Sequence, residues 1–402
     1  MLKHGRLVLV LVVLTAAGVL VARELAGQSR NTVQAPYFEV DPLWPQPLPN
    51  HWLLGSTIGV SVDERDHVWI IHRSSSTLND NEIGLELKPP RGECCAGAPP
   101  VLEFDADGKL VGHWGGPGTG YEWPQSNHGI TADLERNVWI GGNGAADSHV
   151  LKFTRDGKFL MQAGKQHARK GPNNAQGQPT YVGGSNDPQS FGRVAKIFVD
   201  EANNEAYLAD GYLNRRVAVI DTETGKIKRQ WGAYGNKPDD RNLGNYDPNA
   251  KPLDQFRNPV HCADLSKDGF VYVCDRVGNR LQVFTKDGKF VKEAFFAKGT
   301  LGAGSAWDIA FSRDAQQTYI YLADGLNMKV RVLRRDTLEE LTTFGDGGRQ
   351  PGQFYGVHSI ATDSKGNVYT TETYEGKRVQ KFVYKGVRAV TRRDQGTVWP
   401  AK

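Results

Sequence analysis

Along most of the chain, short runs rich in β-branched and aromatic residues alternate with polar turns, and stretches with helical spacing are few. The segment HCADLS-KDG-FVYVCD-RVGN-RLQVFT-KDG-KFVKEAF, from His261 to Phe295, shows the pattern most plainly. Asp-Gly turns divide four apolar runs, which predicts a meander of four antiparallel strands. Five further copies align with it without gaps, opening at Ile58, His128, Ala195, Trp307 and His358. From one opening residue to the next the spacings are 70, 67, 66, 46 and 51 residues. The last two match the ~40–50 residues of a four-stranded propeller blade, so the first three carry insertions of about twenty. The expected fold is all-β: one six-bladed β-propeller over 38–392, whose ring closure removes exposed sheet edges. FEVDPLW (38–44) is expected to pair with the final blade as a closing strand.

Composition agrees: 46 Gly, 20 Pro and 10% aromatic residues suit many short strands and turns. A net charge of +4 over 402 residues, without a dense basic run, implies neither nucleic acid nor an anionic membrane surface as partner. A monomer acting on a small molecule or peptide is expected. Lys3, His4 and Arg6 precede an apolar run from Leu7 to Ala22, so residues 1–27 read as a signal peptide or membrane anchor. The expected location is periplasmic or extracellular, with or without a tether. In that oxidising setting Cys262 and Cys274, symmetric about Asp268, are cross-strand neighbours within reach of a disulfide; buried thiols are the alternative. Adjacent Cys94 and Cys95 leave three readings open: a vicinal disulfide, a soft-metal site or two free thiols.

The opening position carries the candidate chemistry. His128, His261 and His358 occupy it in alternate copies, with Ile58, Ala195 and Trp307 between them. A lone histidine at a strand start is as a rule a satisfied structural residue. Three in alternate blades of a six-fold ring converge on its axis with one coordination position open, the design of a catalytic three-histidine metal site. Strand alternation puts three long insertions, Arg73–Pro100, Lys165–Phe191 and Ala233–Phe256, on the same face as these histidines. That face is expected to be a walled substrate mouth. Arg73 and Tyr212 leave second strands there. Each has an ordinary reading, as a surface arginine and a packing tyrosine. Beside a metal, the guanidinium is an anion receptor and the phenol a general base.

DGYLNRR (210–216), DRVGNRLQVF (275–284) and KRVQKF (377–382) are similar to NHL repeats. From about Trp44 to Phe382 the chain resembles the lyase domain of peptidylglycine α-amidating enzymes. The shared features are GVSVD, IHR (71–73), HGI (128–130), DGYxNxR (210–216), VHC (260–262) and VHS (357–359). The resemblance implies zinc on His128, His261 and His358, catalytic roles for Arg73 and Tyr212, and calcium higher in the channel. It implies cleavage of a carbinolamide C–N bond, which turns an N-acyl-α-hydroxyglycine into an amide and glyoxylate. Ser359 stands where the family has a calcium-holding aspartate, which weakens the implication for calcium. The alternatives are a metal-dependent hydrolase or lyase on the same residues, or a non-catalytic NHL propeller that binds a protein or glycan on its loop-rich face.

Overall fold

The computed structural model of the protein describes residues 31–400, so the expected export segment at 1–27 lies outside the described residues. Six four-stranded antiparallel sheets form the blades. Their inner strands are Thr57–Val62, Asn127–Ala132, Val194–Asp200, Val260–Leu265, Asp308–Phe311 and Val357–Thr362. Each inner strand packs against the next, and the sixth packs against the first, so the ring is closed. The closing strand is Thr32–Asp41, which begins before the expected segment and pairs with Arg378–Thr391 from Thr32↔Thr391 to Asp41↔Lys381.

Tight turns shape one end of the ring. At Gly288, φ is +85°, and a Cβ there would lie 2.7 Å from the Trp231 indole of the preceding blade, so only glycine fits. The insertions all emerge at the opposite end: 73–100 between second and third strands of blade one, 165–191 and 233–256 as crossovers into blades three and four.

A buried ion pair at the site end of blades three to six fastens this mouth. Arg216–Asp210 (2.7 Å), Arg280–Asp275 (2.8 Å), Arg331–Asp324 (2.6 Å) and Arg378–Glu372 (2.6 Å) repeat the motif. The spare guanidinium hydrogens of Arg216 reach the carbonyls of Ser185, Asp187 and Ser190, and one from Arg280 reaches Gln255. The mouth loops are thereby tied to the blades, and the arginine side of each pair is satisfied despite its burial. Cys262 and Cys274 stand opposite one another in blade four and are joined by a disulfide. The sulfurs of adjacent Cys94 and Cys95 lie together in the first insertion.

Candidate active site

The repeat register explains how the opening residues reach the channel. In five blades the pairing of first and second strands slips by one residue at or beside this position. Val260 pairs with Asp275 and Cys262 with Cys274, which leaves His261 bulged; His358 is bulged in the same way. A bulge re-aims the side chain it carries, and here it turns the imidazole toward the axis. In blade two the unpaired residue is Gly129, with φ +42° and the backbone of Ala195 and Lys196 pressed against it. A Cβ would collide there, so glycine lets blades two and three close up beside His128.

His128, His261 and His358 are buried and meet. Ring centroids are 5.2 Å apart for the first two and 4.8 Å for each pairing with His358. One nitrogen from each lies within 4.8 Å of the others. The neighbouring blade decides which nitrogen faces inward. Nδ1 of His128 donates to the Ala195 carbonyl at 2.7 Å, and Nδ1 of His261 to the Trp307 carbonyl at 2.6 Å. His358 uses a relay: the Ser359 hydroxyl donates to the Ile58 carbonyl at 3.0 Å and receives Nδ1–H at 3.3 Å. Carbonyls only accept, so each neutral ring carries its hydrogen on Nδ1 and presents Nε2 as a lone pair. Burial, then Arg73, pushes His128 down to about 3, with Arg276 adding to the effect against the Ala195 bond. Burial and the neighbouring cationic or imidazole groups likewise hold His261 and His358 well below the ordinary histidine range. All three are metal-competent neutral ligands at neutral pH.

Tyr212 stands over this cluster. Its Oη is 3.0 Å from Nε2 of both His128 and His261, and Nη1 of Arg276 donates to it at 3.1 Å. One phenolic hydrogen cannot satisfy two lone pairs. The donor set therefore lacks positive charge at the point where the rings converge, and it fits a tetrahedral zinc with one open position. The second coordination layer suits zinc also, since each imidazole is oriented through its other nitrogen.

Arg276 spans the site, its guanidinium 4.6 Å from the Trp307 ring centroid and 5.5 Å from that of Tyr212. Arg73 donates to Asn143 Oδ1 at 2.9 Å, and burial lowers its pKa, opposed only in part by Tyr212, Tyr374 and Asp147. Among the described residues no carboxylate lies within 4.0 Å of either guanidinium. An anionic ligand would complete the balance. Calcium is served less well beside His358. The Ser359 hydroxyl is committed to its relay, and the channel carboxylates of Asp264 and Asp308 are held by the Lys196 ammonium.

The structure thus brings together the three histidines, Tyr212 and Arg73, and adds Arg276, Asn143 and Trp307. Arg73, Asn143 and Arg276 each directly follow the second strand of their blade, at Val68–His72, Asn137–Gly142 and Phe270–Asp275. Comparing that repeat position along the sequence would have found the last two. Trp307 occupies the opening position itself, and its indole donates to the Gly304 carbonyl at 2.6 Å.

No protein-family model matches the chain. NHL repeat-containing protein 3 of Mus musculus is 24% identical over 381 residues, 91% of this chain and 90% of that protein. Peptidylglycine alpha-amidating monooxygenase of Rattus norvegicus is 24% identical over 250 residues, 61% of this chain and 22% of that protein. Peptidyl-alpha-hydroxyglycine alpha-amidating lyase 1 of Drosophila melanogaster is 23% identical over 361 residues, 86% of this chain and 59% of that protein. The chain spans 22–24% of the length of the amidating monooxygenases it matches. Among solved structures, a streptogramin B lyase aligns at a TM-score of 0.49 with 12% identity, over 89% of this chain and 99% of that one. The chain is a six-bladed β-propeller that is similar, at low identity, to NHL repeat-containing proteins and to the amidating lyases.

Proposed function

We propose that this propeller is a zinc-dependent lyase that splits the carbinolamide C–N bond of an N-acyl-α-hydroxyglycine or a closely related small substrate. The observation that carries the reading is the convergence of three Nε2 lone pairs and one phenol with a single hydrogen between His128, His261 and Tyr212. Arg73 and Arg276, which have no carboxylate partner among the described residues, and the low-identity likeness to amidating lyases add to it.

His128, His261 and His358 would hold the zinc, which supplies positive charge that acidifies a hydroxyl placed at the open position. The residues around it have separate tasks. Arg73 and Arg276 receive the substrate carboxylate and fix the α-carbon between them and Tyr212. Tyr212 takes the hydrogen of the substrate hydroxyl and gives its own to the departing amide nitrogen. The C–N electron pair leaves on nitrogen, the hydroxyl oxygen becomes the aldehyde oxygen of glyoxylate, and no oxidant or reductant is consumed. Stacking on Trp307 keeps the Arg276 plane from rotating away. The Cys262–Cys274 disulfide supports an oxidising compartment as the working location.

The test is glyoxylate release from a simple N-acyl-α-hydroxyglycine by purified protein, with and without prior zinc removal. Zinc-dependent glyoxylate is the expected result. A zinc-loaded protein that releases none would favour a different hydroxylated substrate, and a protein that takes up no metal would favour a binding propeller.

A further inference from the structure

A second constellation lies in the channel, one residue along two of the inner strands from the opening position. Lys196 Nζ of blade three is 2.6 Å from Asp308 Oδ1 of blade five and 2.9 Å from Asp264 Oδ1 of blade four. It also reaches the Ile309 carbonyl at 3.3 Å. The other Asp308 oxygen accepts from the backbone N–H of Ile360 in blade six, at 3.1 Å. Four inner strands are joined through one ammonium and two carboxylates. Burial opposes the Lys196 charge, but Asp264 and Asp308 hold its pKa above the usual lysine value. Burial, then Asp308, pushes Asp264 up to about 6 against the pull of Lys196. Buried ion pairs of this kind contribute little net stability, because desolvation consumes most of the Coulombic gain. Their position is more telling.

Lys196 follows Ala195, whose carbonyl orients His128, and Asp308 follows Trp307, whose carbonyl orients His261. Each acceptor oxygen belongs to the peptide plane that ends on the nitrogen of the charged residue. Tethering Lys196 to Asp308 restricts rotation of both planes. Ile360, which Asp308 also grips, lies two residues beyond His358.

We propose that the Lys196–Asp308 ion pair is a positioning element for the histidine tripod: it fixes the two peptide planes that hold His128 and His261 with Nε2 facing inward, and it steadies the strand of His358. The metal part of this inference rests on the proposed zinc centre; the tautomer part does not.

The test compares full-length wild type with Lys196→Met, Asp308→Asn and Asp264→Asn. Zinc affinity is measured by chelator competition, Co²⁺ geometry by visible absorption, and imidazole tautomers by ¹⁵N NMR of the metal-free proteins. Lys196→Met and Asp308→Asn are expected to weaken zinc about 10–100-fold, the range for a lost ligand-orienting partner. They should also change the cobalt spectrum and mix the tautomers of His128 and His261. Asp264→Asn should leave all three readouts near wild type, because Asp264 adjoins neither acceptor peptide, and Lys196→Arg should restore most of the affinity. Folded Lys196→Met and Asp308→Asn proteins with wild-type zinc affinity and unmixed tautomers would overturn the proposal. If Lys196→Met does not fold, Asp308→Asn and Lys196→Arg decide by the same readouts. If wild type binds no metal while Lys196→Met still mixes the tautomers, the positioning role stands and the zinc centre falls.

Discussion

The imidazole of His261 and the peptide oxygen of Trp307, from adjacent blades, lie 2.6 Å apart, with the ring donating. That contact settles the chemistry of the ring's other edge, since a hydrogen spent on a carbonyl is absent from Nε2. A lone pair that could bind a metal is thus presented by backbone geometry next door.

Replacing any one of His128, His261 or His358 by alanine should abolish stoichiometric zinc after dialysis, because two imidazoles hold the ion poorly in an open site. Metal analysis of protein purified without added zinc reads this directly. Retention of a full equivalent by any of the three variants would remove that histidine from the ligand set.

Tyr212→Phe should keep both the ring packing and the zinc, and lower kcat by about 10²–10⁴-fold, the usual span for a lost proton-transfer group. Arg276→Ala and Arg73→Ala each remove a charged hydrogen bond, worth about 1.5–3 kcal/mol, so kcat/KM should fall about tenfold to a hundredfold with zinc retained. Steady-state kinetics of glyoxylate formation separates the two classes. Unchanged kinetics in Tyr212→Phe would show that the phenol moves no proton.

Much of this layout was legible in the sequence. The gap-free repeat gave the ring, strand alternation gave the face of the three insertions, and symmetry about Asp268 gave the Cys262–Cys274 bridge. Each of these is written in local periodicity or spacing. The bulges at His261 and His358 were not, because a one-residue slip leaves the apolar alternation on either side intact. Nor was the Lys196–Asp308 contact, made across the channel by residues 112 apart. Ser359 read only as the loss of a calcium ligand, whereas in the structure it completes the orientation of His358. Arg276 was overlooked inside a repeat signature whose neighbouring charges, Asp275 and Arg280, are structural.

Stability should respond to acid through His72. Its Nδ1 accepts from the Gly55 N–H at 3.0 Å while Nε2–H donates to the Pro99 carbonyl at 2.9 Å, so only the neutral ring fits. Burial lowers its pKa from 6.5 to about 4, against the Pro99 bond. The unfolded chain then binds this proton first as pH falls. The contribution is full above 6.5, declines through the interval down to about 4, and is lost below that, on the order of 3 kcal/mol in all. Denaturant unfolding at pH 7, 5.5 and 4 checks it. The acid loss should shrink in His72→Gln, and an unchanged slope would assign it elsewhere.

The Cys262–Cys274 bridge closes a short loop already held by strand pairing. Chain entropy sets an upper limit of about 3 kcal/mol for such a loop, so the double alanine variant should lose less than this and still bind zinc. Thermal unfolding with and without reductant gives the value, and a loss of metal on reduction would contradict the separation of bridge and site.

The ring also divides what mutation can alter from what it cannot. His128, His261 and His358 are needed as side chains, whereas Ile58, Ala195 and Trp307, in the blades between, serve the tripod through carbonyl oxygens. Any residue supplies a carbonyl. Those three side chains are buried, so packing limits what can replace them, but the orientation of the imidazoles does not depend on their chemistry. Trp307, stacked under Arg276, shows what this division permits: an indole that braces a guanidinium stands at a coordinate whose duty toward His261 is discharged by the main chain. An exchange there that fits the core can thus alter the surroundings of the three rings without turning them.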